Sequence, residues 1–349
     1  MPTELKKKTA TLSDIAEAAG VAAMTVSRVV SGVGYVSEST RERVLKALKD
    51  HNFRRNGLAR GLKRRSTETV GLVLGDISNP YSTELARGVR ETLLSRGFNL
   101  FICISDAGET EDTQAFKSLA EHSVDGIIVA TRSNKGGDKY LRELVETNVP
   151  VVALGRDLEH RHVDLVGTDN FKGGFVATEH LIERGHKRIA FLGANLSVGS
   201  QLKRLQGYVA ALEENAIAVD DELVVGHGDD NVGGYSTEEI GFEGMKRLLS
   251  LKNRPTAVFA RNDFTAIGAM RAISDAGLSI PKDVAVVGFD DIPMAARMSP
   301  SLTTVRQPMR LQGEIAATML LDRITSKTPI RRRQRVLDCE LIVRESSSE

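Results

Sequence analysis

From about Glu68 onward the chain alternates short β-branched runs with amphipathic helical stretches, and this alternation narrows the possible folds most. Nine segments read as strands: 69–75, 98–104, 125–131, 149–154, 163–168, 187–193, 222–226, 256–260 and 284–289. Parallel neighbours need a crossover of roughly a dozen residues or more, and helices lie between most of these strands. The pattern therefore predicts mainly parallel sheets with helices on both faces. Nine such strands predict two sheets, and hence two α/β subdomains.

The segment before this alternation has a different texture and a different charge. Residues 1–65 hold 14 Lys/Arg against 6 Asp/Glu, a net +8, whereas the remainder holds 33 against 40, a net −7. A compact basic module joined to a mildly acidic body implies that the first part meets a polyanion. Residues 9–55 read as three helices. Thr11-Leu12-Ser13-Asp14 matches a capping box, Leu12, Ile15, Ala16 and Ala19 share one face, and Gly20 suits a left-handed stop. A second helix follows through Met24–Val30, ended by Gly32 and Gly34. A third, capped by Ser37, runs to about Asn52 and turns Val44, Leu45 and Leu48 inward. Residues 56–67, basic and with two glycines, read as a linker.

Two helices joined through a glycine turn, the second bearing small polar residues and an arginine, fit a helix-turn-helix. Such a helix must present short or bidentate side chains to a groove about 12 Å wide while its apolar side anchors it. Val21, Val26 and Val29 can anchor. Ala23, Met24, Thr25, Ser27 and Arg28 can then face outward, with Arg28 suited to guanine and Thr25 or Ser27 to phosphate.

With 41% hydrophobic residues in 349, the chain has material for a sizeable core, and its apolar runs have strand length only. No membrane span is expected. The basic start lacks an apolar stretch behind it, so no secretory signal is visible. Cys103 and Cys339, the two cysteines, make neither a disulfide framework nor a zinc site and suit a reducing cytoplasm. No nucleophile elbow, P-loop, HExxH, EF-hand, GxGxxG or paired CxxC occurs, so no catalytic residue, cofactor or metal is assigned. Gly173-Gly174 reads as a helix start, His180 and His186 as structural. Ser346-Ser347-Ser348 is the only low-complexity stretch, and no heptad pattern suggests a tetramerisation coil.

The stretch Thr11–Val21 followed by Met24–Val29 resembles the signature of the lactose-repressor (LacI/GalR) family. Val36–Val44, Asp76–Tyr81, Arg261-Asn262-Asp263, Val287–Asp291 and Thr303–Pro308 resemble later blocks of that family, in the same order. The resemblance implies an all-α helix-turn-helix head followed by an α/β body of the two-subdomain, periplasmic-binding-protein-like (type I) kind, with three crossovers and a ligand cleft. Its implied parts are a headpiece over residues 9–55, a hinge over 56–67 and an effector-binding and dimerisation domain over 68–349. Within the last, one subdomain spans roughly 68–165 plus 294–325 and the other 166–293 plus 326–349. The DNA-binding set is then Thr11, Ala23, Met24, Thr25, Ser27 and Arg28, with Asn56 as a cap or phosphate contact and Leu62 as a minor-groove wedge. Two positions depart from the family pattern: Arg55 precedes the hinge asparagine where proline is common, and Ala22 replaces a hydroxyl residue.

In open parallel sheets ligands bind beyond the carboxyl ends of strands, and polar residues stand there. The effector-binding candidates are Asp76, Tyr81, Thr131, Arg132, Arg156, Arg204, Asn262 and Asp290. The resemblance places Arg204, Asn262 and Asp290 on sugar hydroxyls and Tyr81 against the ring. A helix-capping role for Asn262, a turn role for Asp290 and a structural role for Asp76 are the plainer readings. Arg156, with Arg132 and Arg204 nearby, favours a sugar acid or sugar phosphate over a neutral sugar. The whole then predicts a cytoplasmic, non-enzymatic repressor binding a pseudo-palindromic operator as a homodimer. The rival is a cytoplasmic carbohydrate-binding protein or carbohydrate enzyme whose N-terminal helices bind protein.

Overall fold

The computed structural model describes residues 10–31, 34–51, 53, 66–105, 109–131, 135–156, 160, 162–194, 199–226 and 238–348. Asn56, Leu62 and Arg132 lie outside the described residues. The chain divides into two compact units, residues 1–67 and 68–349.

The first unit contains α1 (Leu12–Ala19), α2 (Ala23–Ser31) and α3 (Glu38–Asp50). The capping box forms: Thr11 Oγ1 accepts the Asp14 amide at 3.3 Å, and the Thr11 amide donates to Asp14 Oδ2 at 2.7 Å. Gly20 closes α1 at φ 62°, a conformation that costs glycine little. Ile15, Ala16, Ala19, Val26, Val29, Val44 and Ala47 form the core. Two expected core residues are corrected. Leu12 and Leu45 are exposed, because the inward face of α3 follows Val44, Ala47 and Leu48, and Leu12 sits in the open first turn of α1. Ser37 occupies the cap position of α3, but its hydroxyl donates to Thr40 Oγ1 at 2.8 Å instead of accepting an amide. Thr11→Ala removes a working cap, and thermal unfolding of the N-terminal unit should register a loss of about 1 kcal/mol.

The second unit holds two six-stranded sheets. Its elements in order are β1 (Thr69–Leu74), α4 (Pro80–Ser95), β2 (Asn99–Ile104), α5 (Glu109–Glu121), β3 (Gly126–Ala130), α6 (Lys135–Glu146), β4 (Val151–Leu154), β5 (Val163–Thr168), α7 (Asn170–Glu183), β6 (Ile189–Ala194), α8 (Gly199–Glu214), β7 (Val224–Gly226), α9 (Glu238–Leu249), β8 (Ala257–Ala260), α10 (Asp263–Asp275), β9 (Ala285–Asp290), β10 (Thr303–Arg306), α11 (Met309–Thr325), β11 (Gln334–Leu337) and β12 (Glu340–Ile342). The first sheet runs β11-β5-β4-β3-β1-β2 and the second β12-β10-β9-β8-β6-β7. Every described pairing is parallel except β10 with β12. Apolar clusters cover both faces of each sheet.

All nine expected strands are present, and β10, β11 and β12 are additional. The chain crosses between sheets three times: after β5, between β10 and α11, and between β11 and β12. This corrects the expected division. Residues 303–306 belong to the second sheet because β10 pairs with β9, and residues 334–337 return to the first because β11 pairs with β5.

Gly173 and Gly174 lie in the first turns of α7, as expected, and Gly174 also makes a close approach with Gly207 of α8. A Cβ on Gly174 would stand 2.2 Å from the Arg204 carbonyl oxygen, and one on Gly207 2.1 Å from that of Phe171. The two backbones touch there, which fixes the turn of α8 that carries Arg204. The C-terminal serines are likewise built in: Ser346 Oγ donates to the Val286 carbonyl at 2.6 Å, and Ser347 Oγ lies 2.8 Å from His180 Nε2.

Candidate functional sites

In the N-terminal unit α1 and α2 meet through Gly20, Val21 and Ala22, and buried Val26 and Val29 seat α2 on the core. Met24, 62% exposed, shares the open side of α2 with exposed Ala23 and Arg28, while Thr25 and Ser27 are half-buried. The Arg28 stem passes 3.5 Å from the position a Cβ on Gly34 would take. Ala22 starts α2 with its carbonyl accepting the Thr25 amide at 2.8 Å and no side-chain acceptor to add. Thr11 stands apart from the others. Its hydroxyl is engaged with Asp14 Oδ2 at 2.9 Å, which gives it a capping role.

In the second unit the ends of β9 and β10 and the start of α8 gather one polar cluster. Arg204 is buried, its guanidinium 3.6 Å from the centre of the Phe289 ring, with Nε donating to Asn170 Oδ1 at 2.8 Å and Nη2 4.0 Å from Asp290 Oδ1. Nη1 donates to the Arg261 carbonyl. Asp290 sits at φ 126°, outside the range most side chains adopt, and Asp291 follows at φ 60°. Paired Arg306 and Arg344 hold the Asp291 carboxylate at 2.7 and 2.6 Å, bracing that turn. Gln307 Nε2 donates to Asp290 Oδ1 at 2.6 Å.

Burial pushes the Asp290 carboxyl up, and Arg204 and Gln307 pull back only in part. Asp263 behind it is also raised, by burial first and then by the Asp290 charge, against hydrogen bonds from Thr304 and the Ile292 amide. Tyr81, at the start of α4 in the first subdomain, feels the same groups. Burial first, then the Asp290 charge, raises its hydroxyl to about 12, with Arg204 opposing. Its oxygen lies 3.3 Å from where a Cβ on Gly155 would stand. Tyr81 of the first subdomain is therefore within electrostatic reach of Arg204 and Asp290 of the second.

Asn262 caps α10, its Oδ1 accepting the Thr265 amide at 3.0 Å, which leaves Nδ2 as the donor it can offer a ligand. Thr131 and Arg156 join a buried network of the first subdomain. Arg156 Nη1 donates to Thr131 Oγ1 at 3.0 Å, Nη2 pairs with Asp138, and Ser105 and Thr131 donate to Asp112. Burial lowers the Arg156 pKa while Asp138 and Asp112 hold it up. Asp76 does not join these groups. Its Oδ1 accepts the Ser78 amide at 2.7 Å in a local turn, and it lines a separate groove with Glu238, Glu239, Phe242 and Arg271.

The described arginines of the expected anion-binding set are paired in the structure: Arg156 faces Asp138 and Asp112, and Arg204 faces Asp290, so their charges are largely compensated. Thr168, Asn170, Phe289 and Gln307 are parts of the cluster that the sequence reading did not single out as ligand contacts, whereas Asp263 stands with Asn262 among the polar residues after a strand. The rule that polar residues follow strand ends would have found Thr168 and Asn170 at β5, whereas Gln307 follows β10, a strand that local pattern does not reveal. Among the described residues no group of His, Cys, Asp and Glu could hold a metal ion, and no helix is long and apolar enough to cross a membrane.

A three-helix unit with an open second helix, followed by two parallel α/β subdomains around a polar cleft, defines a ligand-responsive DNA-binding protein. Residues 11–56 match the family described as bacterial regulatory proteins, lacI family, and residues 178–347 match the periplasmic binding protein-like domain. The HTH-type transcriptional repressor PurR of Mannheimia succiniciproducens is 33% identical over 97% of this chain and 98% of its own. The ribose operon repressor of Escherichia coli K12 is 35% identical over 91% of this chain and 94% of its own. Among solved structures, the lac repressor dimer bound to operator and the anti-inducer ONPF superposes with a TM-score of 0.83 at 28% identity, covering 97% of this chain and 99% of that one. The chain belongs to the lacI family of bacterial regulatory proteins.

Proposed function

We propose that this chain is a cytoplasmic transcriptional repressor that binds a pseudo-palindromic operator as a homodimer and is controlled by a neutral polyhydroxylated ligand, a sugar, in the cleft of its second unit. The observation that carries the ligand class is the charge pairing at the cleft. Arg204 and Asp290 offer a fork of donors and an acceptor to adjacent hydroxyls without an excess positive charge to draw an anion. Similarity to a ribose operon repressor and to a regulator solved with cellobiose, 35% identical with a TM-score of 0.72, supports the sugar reading. On the DNA side Ala23, Met24, Thr25, Ser27 and Arg28 supply the contacts, with Asn56 and Leu62 of the hinge completing them. Edge strand β2 and its neighbour α4 expose Leu94, Phe101, Ile102 and Ile104, an apolar margin suited to a second copy.

Selection of bound duplexes from a random pool, followed by binding at several salt concentrations, tests the reading. An inverted repeat should emerge, and affinity should fall steeply with salt as phosphate contacts release counterions. Arg28→Ala should relax one base position in each half-site, at a cost of about 1–3 kcal/mol against the preferred base. Salt-independent binding with no enriched repeat would contradict the proposal and favour a protein partner for the helical unit.

A further inference from the structure

A chain of buried hydrogen bonds runs from the acid of the ligand cluster through two of the three crossovers. Gln307, between β10 and α11, donates from Nε2 to Asp290 Oδ1 at 2.6 Å, and its backbone amide donates to the Asp290 carbonyl at 3.3 Å. Its Oε1 accepts from Thr168 Oγ1 at 2.9 Å, and that hydroxyl in turn accepts from Gln312 Nε2 of α11 at 2.9 Å. Thr168 ends β5 at the first crossover, and its carbonyl accepts from Asn170 Nδ2 at 3.0 Å, the same Asn170 whose Oδ1 holds Arg204. Thr168, Asn170, Gln307, Gln312, Asp290 and Arg204 are all buried.

The directions of the side-chain bonds from Asp290 through Gln307 and Thr168 to Gln312 follow from one charge. The Asp290 carboxylate can only accept, so the Gln307 amide must turn its nitrogen to it and its oxygen to Thr168. The single Thr168 proton then goes to Gln307, and the remaining lone pairs face Gln312. The Gln312 Oε1 atom is buried with no hydrogen-bond partner, so Gln312 is held through its donor side alone. A rotation of one subdomain against the other must break or replace bonds that water does not reach, so intermediate angles are penalised and discrete arrangements favoured.

We propose that the Thr168 hydroxyl is a positioning residue that ties Asp290 to α11 and so sets the inter-subdomain angle at which Asp290 and Arg204 meet the ligand. This inference rests on the cleft of the proposed function for its effect on ligand, but not for its effect on the angle. The test compares Thr168→Val, which keeps the shape and removes the hydroxyl, with Thr168→Ser, which keeps it, and with Gln312→Met as a second break in the chain. Spin labels carried by unnatural amino acids at exposed Glu143 and Lys252, in subunits diluted with unlabelled protein, report the angle in the full-length protein. Calorimetry with D-ribose as the probe reports affinity.

Thr168→Val and Gln312→Met should broaden or shift the distance distribution and weaken D-ribose by about tenfold, while Thr168→Ser should match the wild type in both. A wild-type distance distribution in Thr168→Val and Gln312→Met would overturn the proposal. If wild-type protein gives no heat with D-ribose, ribose is excluded as the ligand, and the distance distributions still decide the role of Thr168.

Discussion

Asp164→Asn should destabilise the second unit by roughly 3–5 kcal/mol, the cost of leaving the largely buried Arg323 and the partly buried Arg333 without their carboxylate. The Asp164 side chain is fully buried, with Arg323 donating from Nε to Oδ2 at 2.8 Å and from Nη2 to Oδ1 at 2.5 Å, and Arg333 donating from Nε at 3.0 Å, from Nη2 at 2.8 Å and from its amide at 2.8 Å. These bonds tie β5, α11 and the approach to β11, the segment by which the chain returns to the first sheet. Burial alone would raise the Asp164 carboxyl, but the hydrogen bonds from Arg323 and Arg333 outweigh it and hold the pKa below its ordinary value.

A carboxyl whose folded pKa is depressed stabilises the protein above its unfolded value of about 3.9, and that stability disappears as pH falls through the folded value. Urea unfolding at pH 7 and across the acid range measures both effects. The Arg333 side chain is 31% exposed and contributes less than Arg323, which is 9% exposed, so the lower end of the range is the firmer expectation. A loss under about 1 kcal/mol would show that the triad is a passive feature of the hinge.

Asp290→Asn should weaken the sugar ligand about 30- to 100-fold, because a charged acceptor for hydroxyls becomes a neutral one. The fold should tolerate the change, since Asn can still accept from Gln307 Nε2 and burial disfavours the charge it removes. The sign of the pH effect follows from the raised pKa. In the wild type the carboxylate is lost as pH falls through a value above the ordinary carboxylate range, so ligand affinity declines on mild acidification. The Asn variant should show a flat profile. Calorimetry with the best-binding sugar of a thermal-shift panel, from pH 5 to 8, reads both; equal affinity in the two proteins would remove Asp290 from the site.

The strands that sequence revealed are those carrying continuous β-branched runs, because a central parallel strand is apolar on both faces. Strand β10 is only Thr303–Arg306, and β11 and β12 are short and largely open to solvent, so pairing with β9, β5 and β10 defines them instead of local pattern. The return of β11 to the first sheet was illegible for the same reason. In the candidate cluster, Asn262 and Asp290 were legible through family blocks and strand ends, Arg204 only as an implication of the family resemblance, and the capping role of Asn262 followed from its place before α10.

Charge compensation was not legible. Arg156 reads as a free cation after β4 until α6 brings Asp138 to it from 18 residues away, and the Thr168–Gln307 bond joins residues 139 apart. Partners of that kind are chosen by the packing of helices and crossovers, which single-residue patterns do not encode.

The central claim is that one chain couples a sugar-filled cleft to operator binding. Fluorescence anisotropy of the selected operator, titrated with protein in the absence and presence of saturating sugar, tests it most directly. Coupling of about 1–3 kcal/mol, a change in operator affinity of roughly 5- to 150-fold, is the predicted result. Reciprocity requires the operator to change the affinity for sugar by the same factor. A sugar that binds by calorimetry at the Asp290 cleft and leaves operator affinity unchanged would contradict the account.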